Sequence, residues 1–228
     1  MAELPTHLRG GPLGRGRVSR AVLAAHQRER VVAKATPVFA KRGYPATTVD
    51  DLLASAKVGV GNFYSLFDGK EDCFLTCFDT VVEQVLERIG SAIEGQDDWG
   101  ARAYLGLEAM LGFFCAEPLS SRLVLAEAQT AGTEATRRYD ALLDRSIDWL
   151  AEGRAAHPEA SALPPSFESA SVAGLAFYLQ QCLLEARRHS PGELLAETAG
   201  LLLEPVIGAA RLDRLHRDLA RGGVRRGA

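Results

Sequence analysis

Aromatic residues are scarce in this chain of 228 residues, at 7%, with two tryptophans and two methionines. No run of about 18 apolar residues occurs, the minimum that a membrane-spanning helix needs. The most apolar late stretch, Leu201 to Ala210, is short and is interrupted by Glu204 and Pro205. The first 20 residues hold Arg9, Arg15, Arg17 and Arg20 with no apolar core behind them, so they do not read as a secretory signal. No membrane partner is expected, and the expected location is the cytoplasm. Cys73, Cys77, Cys115 and Cys182 include no C-x-x-C pair, and the five histidines complete no zinc pattern. Cys73 and Cys77, four residues apart, share a helix face and read as reduced structural residues; no metal or cofactor is expected. G-x-G-x-x-G, P-loop, H-E-x-x-H and G-x-S-x-G motifs are also missing. The carboxylate pairs Glu71/Asp72, Asp97/Asp98 and Glu117/Glu127 are expected in solvated or capping places without a partnered His or Cys, so the chain does not read as an enzyme. Period-two alternation is absent as well, which excludes sheet and leaves an all-α class.

What is present is a helical pattern and an uneven charge. An apolar share of 47% excludes wholesale disorder. Residues 1–47 carry nine Lys or Arg against two Glu, net +7, whereas the remainder holds 17 basic and 27 acidic residues, net −10. That asymmetry fits either a polyanion-facing N-terminus on an acidic body or a solubilising tail. Residues 1–18, rich in Gly, Pro and Arg, read as a flexible basic arm. A helix over 19–42 follows, with Pro37 expected to kink or split its last turn. Thr48 and Asp51 are spaced as a near capping box for a short second helix. Lys57–Gly59 form a turn into a short third helix, and Asp68-x-x-Glu71 reads as the start of a long fourth. Five more are expected at about 98–116, 118–130, 133–156, 166–188 and 191–210, with Pro118 in a first turn and His157–Pro165 as a loop. Ser190-Pro191-Gly192-Glu193 is a strong start signal for the ninth. About nine helices are expected, with residues 211–228 a polar basic tail.

Two short amphipathic helices joined by a tight turn beneath a preceding helix form a helix-turn-helix pattern over residues 19–72. Its second helix must be half polar, so that one side packs and the other enters a major groove about 12 Å wide. The spacing turns Val60, Phe63 and Phe67 inward and Gly61, Asn62 and Ser65 outward, with Tyr64 at the margin. Many helical hairpins share such spacing, so the residues themselves matter more.

Phe39-Ala40-Lys41-Arg42-Gly43-Tyr44, Ala46-Thr47-Thr48-Val49 and Phe63-Tyr64-Ser65-Leu66-Phe67-Asp68-Gly69-Lys70-Glu71-Asp72 together resemble the N-terminal domain of the TetR family of bacterial transcriptional regulators. The resemblance covers roughly residues 29–75. It implies that Thr47 and Thr48 meet a DNA phosphate, that the Tyr64 hydroxyl reaches the DNA backbone, and that Lys70 contacts phosphate. It also puts Val60, Gly61, Asn62 and Ser65 at groove-facing positions, where the Asn62 amide suits adenine. Two positions depart from the family pattern: Lys57 stands where Gly is usual, and Gly59 where Ser often caps the helix. Lys57 can add a phosphate contact, in a turn where Gly would be easier. The third helix has no outward Arg or Lys, so part of the specificity is assigned to Arg15 and Arg17 of the arm, entering an adjacent minor groove.

The remainder, 73–210, fits a ligand-binding and dimerisation body in length and helix count. Tyr104, Met110, Phe113, Phe114, Trp149, Phe177, Tyr178, Gln180 and Gln181 are the candidate lining of a pocket for a mostly apolar small-molecule effector. The last two long helices, with Ala170, Ser171, Ala173, Gly174 and Ala176 on one and Leu194, Leu195, Leu201, Leu202 and Val206 on the other, are expected to pair two copies into a homodimer, the alternative being their complete burial within one subunit. The expected function is a DNA-binding regulator of a double-stranded operator, in the sense of a repressor that its effector releases. The alternative is a helical ligand-binding dimer whose helix-turn-helix no longer binds DNA.

Overall fold

A computed structural model describes residues 20–185 and 189–220. Among these residues there are eleven α-helices and no strand. The first four are α1 Arg20–Arg42, α2 Val49–Ala56, α3 Val60–Tyr64 and α4 Lys70–Ile93. Helix α5 is Trp99–Ala116 and α6 Pro118–Arg122, which runs on through a π turn, Leu123–Glu127, and a 3-10 turn, Ala128–Thr130. Helix α7 spans Thr133–Ala156, α8 Phe167–Leu184, α9 Pro191–Leu202, α10 Glu204–Ile207 and α11 Ala209–Ala220. No single helix is long and apolar enough to cross a membrane.

The local signals act where they were expected. Thr48 and Asp51 close a full capping box on α2, and Ser190 and Glu193 close another on α9. Asp98 caps α5 by accepting from the Ala101 N–H at 2.9 Å. Pro118 is a first-turn proline of α6. Four expectations need correcting. Helix α1 is not split at Pro37, and Val31, Val32, Ala35, Phe39 and Ala40 pack into one core on either side of it. Helix α4 starts at Lys70 rather than at Asp68, whose N–H is instead bonded by the Asp72 carboxylate at 3.1 Å. The stretch 191–210 is not one helix, since it breaks at Leu203 and again at Gly208, where φ is +78°.

The fourth correction concerns the polar tail expected from residue 211: through Ala220 it is helix α11. Leu212 and Leu215, three residues apart, pack on the body core. Arg211 pairs with Asp98 and donates to His157 Nε2 at 3.0 Å, and His216 Nδ1 lies 2.6 Å from the Tyr104 hydroxyl.

Two cores result. The first joins α1–α3 to the start of α4 and to Phe113, Leu123, Val124, Ala128 and Tyr139. Cys73 and Cys77 are both fully buried in it. The boundary expected after residue 72 thus falls inside α4 and inside this core. The second core gathers α5 with α7–α11 around Trp99, Tyr104, Leu111, Leu194 and Leu203. Leu125 and Leu143 pack against both.

Candidate nucleic-acid interface

The interface is built from the segment 43–70. Gly43, at φ +83°, ends α1 and turns the chain so that Tyr44 stacks on Phe39, with ring centroids 5.9 Å apart. Thr47 is 1% exposed, and its hydroxyl donates to the Gly43 carbonyl at 2.7 Å. A phosphate cannot reach that hydroxyl, so the expected contact is corrected: Thr47 shapes the loop from inside. Lys70 is also engaged within the protein. Its ammonium donates to the carbonyls of Tyr44 (3.0 Å) and Thr47 (2.9 Å) and lies 4.2 Å from the Tyr44 ring centroid. It clips the loop to α4, leaving one N–H direction for any outside partner.

Thr48 stands exposed at the start of α2. Its hydroxyl accepts from the Asp51 N–H at 3.2 Å, and its own N–H donates to Asp51 Oδ2 at 2.9 Å. Hydrogen bonds from Thr48, backbone first, hold the Asp51 carboxyl below its usual range, with Arg42 adding charge. At the other end of α2, Lys57 takes a left-handed conformation, and Val58 closes the turn by donating to the Leu53 carbonyl at 3.2 Å. Lys57 is exposed beside the turn.

Helix α3 has only five residues. Phe63 is fully buried, and Phe67, reached through a turn after the helix ends, is 2% exposed. Val60, expected inward, is 56% exposed. It shares the outer side of the helix with Tyr64, four residues on, rather than the inner side with Phe63. Tyr64 is 54% exposed beside it, and Gly59, Gly61 and Ser65 are exposed as well. The Ser65 hydroxyl donates to the Asn62 carbonyl at 2.7 Å and lies 3.5 Å from Asn62 Oδ1, which restrains a half-buried Asn62. Arg15 and Arg17 fall outside the described residues. Part of the basic charge of the N-terminal region serves packing: Arg28 lies over the Phe67 ring at 5.0 Å and donates to Thr76 Oγ1 at 2.8 Å.

One residue of this region went unread in the sequence. Glu127, expected in a solvated or capping place, is 6% exposed and accepts a hydrogen bond from the Tyr44 N–H at 3.0 Å. The π turn carries it inward against α1, with Arg122 at 3.6 Å. The available signal was a single carboxylate in the otherwise apolar run Leu123-Val124-Leu125-Ala126-Glu127-Ala128.

The candidate effector-lining residues are spread over both cores and the surface. Phe177 is 63% exposed on α8. Phe113 belongs to the first core, under the Arg88 guanidinium at 4.9 Å. Tyr104 and Phe114 are buried among their neighbours, Trp149 packs on Trp99 with centroids 5.6 Å apart, and the Tyr178 hydroxyl donates to Glu197. Met110 and Gln181 are half-buried. Two recesses do occur elsewhere, one of about 780 Å³ between α1, α4 and α6 and one of about 180 Å³ between α4 and α7. None of the expected lining residues borders either. Among the described residues no group of His, Cys, Asp and Glu is placed to hold a metal ion.

Residues 31–77 match the family profile described as bacterial regulatory proteins, tetR family. A Bacillus subtilis protein, the uncharacterized HTH-type transcriptional regulator YhgD, is 27% identical over 125 residues, 55% of this chain and 65% of that protein. The curated relatives are matched over 65, 32 and 22% of their own lengths, so the sequence match spans less than two thirds of each. The fold extends further. Bacillus subtilis FadR in complex with stearoyl-CoA superposes with a TM-score of 0.65 at 18% identity, over 79% of this chain and 98% of that one. AibR in complex with isovaleryl coenzyme A and operator DNA gives 0.65 at 16% identity, over 78% and 99%.

Proposed function

We propose that this chain, which carries a TetR-type helix-turn-helix on a TetR-like helical body, is a homodimeric, DNA-binding transcriptional regulator. The observation that carries the reading is the construction of α3. Its inward side is spent on Phe63 with Phe67 just behind it, and its outward side offers Val60, Gly61, Asn62, Tyr64 and Ser65 to a groove. Thr48, Lys57 and Tyr64 contact the flanking phosphates, and Lys70 holds the loop while offering its remaining N–H to the backbone. Arg15 and Arg17 follow the adjacent minor groove. Phe177, Leu184 and Leu201, all more than half exposed on α8 and α9, support pairing of two copies through these helices. Two recognition helices about 34–36 Å apart then meet successive turns of the operator.

The sense of regulation is repression, relieved by an effector with an apolar acyl chain. The acyl-CoA complexes of FadR and AibR support that class of compound. The regulator acts in the cytoplasm on fragments that include the region flanking its own gene.

The test is binding of the full chain to those fragments across salt concentrations. Six to eight phosphate contacts per dimer give a slope of log K against log salt of about −5 to −7. Acyl-CoA thioesters of graded chain length, added to the complex, should release the fragment. Binding without release would overturn the effector class and leave the regulator. Absence of binding even at low salt would favour a ligand-binding dimer that keeps its helix-turn-helix as scaffold, a reading that the internally engaged Thr47 and Lys70 would then explain.

A further inference from the structure

Val60 is the first residue of α3, the end of a recognition helix that approaches base edges. Its exposure of 56% is not shared by the other aliphatic side chains of the turn and helix, since Val58 is half-buried. It also stands between Gly59 and Gly61, and a Cβ built at either glycine would meet nothing within 4 Å. The two missing side chains leave Val60 as a branched apolar knob on a bare stretch of backbone that can come close to a groove floor. From Val58 to Leu66 no residue carries a charge. The Ser65 hydroxyl donates to the Asn62 backbone carbonyl at 2.7 Å.

An aliphatic side chain has neither donor nor acceptor. The one feature of a major-groove edge that it matches is the methyl group on C5 of a pyrimidine. Against guanine O6 and N7, or the amino group of cytosine, it would displace water and return no hydrogen bond, which is unfavourable. Selection therefore acts twice, by gain at the methyl and by loss at the other edges.

Resting on the regulator reading above, we propose that Val60 is a specificity-determining residue that reads the C5-methyl of a thymine in each half-site. One methyl buried against Val60 corresponds to about 0.8 kcal/mol, or roughly fourfold in affinity per half-site and about fifteenfold for both.

The experiment starts from an operator selected out of random duplexes by the full-length protein. Each thymine is replaced in turn by deoxyuridine, which removes the methyl and keeps the Watson–Crick edge. One thymine per half-site should cost the native protein about fourfold and cost the Val60→Ala protein nothing. At that position a C·G pair should bind more weakly than T·A, and 5-methylcytosine should recover part of the loss, which identifies the methyl as the group read. If 5-methylcytosine there binds more tightly than thymine, a methylated cytosine is the source in place of thymine, and the thymine assignment falls. Specific binding with no deoxyuridine effect that disappears in Val60→Ala overturns the proposal and leaves the regulator standing. Failure of native protein to enrich any duplex overturns both. Because Val60 packs against little, Val60→Ala should retain the native melting temperature, which thermal unfolding checks.

Discussion

Lys57 sits at φ +54° and ψ +51°, and no other non-glycine residue among those described has positive φ. An L side chain costs about 1–2 kcal/mol there, against the roughly 0.5–1 kcal/mol that glycine loses through its freer unfolded chain. Lys57→Gly is therefore expected to stabilise the protein by up to about 1 kcal/mol in denaturant unfolding. If Lys57 meets a phosphate, the same change weakens operator binding and flattens the salt slope by about 1 per subunit. A gain in stability with unchanged slope would remove Lys57 from the interface. Asp51 makes a prediction about acid. Its folded pKa is lowered by the Thr48 hydrogen bonds, so the contribution of the carboxylate is full above the ordinary value of about 3.9 and fades as pH falls through the lower folded value. Carboxyl NMR should find Asp51 titrating below that value, and Thr48→Ala, which removes the side-chain bond but keeps the larger backbone one, should raise it only part of the way.

At the scale of elements, the turn after α6 is where the body touches the DNA-binding end most specifically. Glu127→Ala leaves the Tyr44 N–H without its partner, at an expected cost of about 1–3 kcal/mol in thermal unfolding. It also frees the loop that leads into α2, so operator affinity should become less sensitive to effector; equal sensitivity in the two proteins would deny the link a signalling role. This contact shows what the sequence conveys and what it does not. The capping boxes at Thr48 and Ser190 were legible because cap and partner lie three residues apart and act without tertiary help. Phe63 and Phe67 were legible as core for the same local reason. Val60 was not, because it lies on the outer side of α3 with Tyr64, and spacing alone fits either the Phe63 or the Tyr64 side. Nor was Glu127, whose burial depends on a π turn, a feature that no local pattern of side chains specified. Helix α11 was hidden by its charges, although Leu212 and Leu215, three residues apart, mark its packed side.

For the whole molecule, the exposed Phe177 and Leu184 on α8 and Leu201 on α9 define the face on which dimerisation is proposed. Phe177→Glu should shift the protein toward monomer in sedimentation equilibrium. Because the two half-sites are then bound independently, operator affinity should fall by roughly 10²-fold or more. A monomer with unaltered operator affinity would break the two-site account. The first core has a further consequence, for how such proteins can be recombined. Its residues run from Val31 to Tyr139 across α1–α4, Phe113 and the turns after α6. The reading head is therefore not a detachable cartridge. A chimera that grafts residues 19–72 onto another body would cut between Phe67 and Phe74, and should express poorly. A graft that keeps the first core whole has to carry the first half of α4, Phe113 of α5 and the stretch 119–143, so its joints fall inside helices rather than in turns.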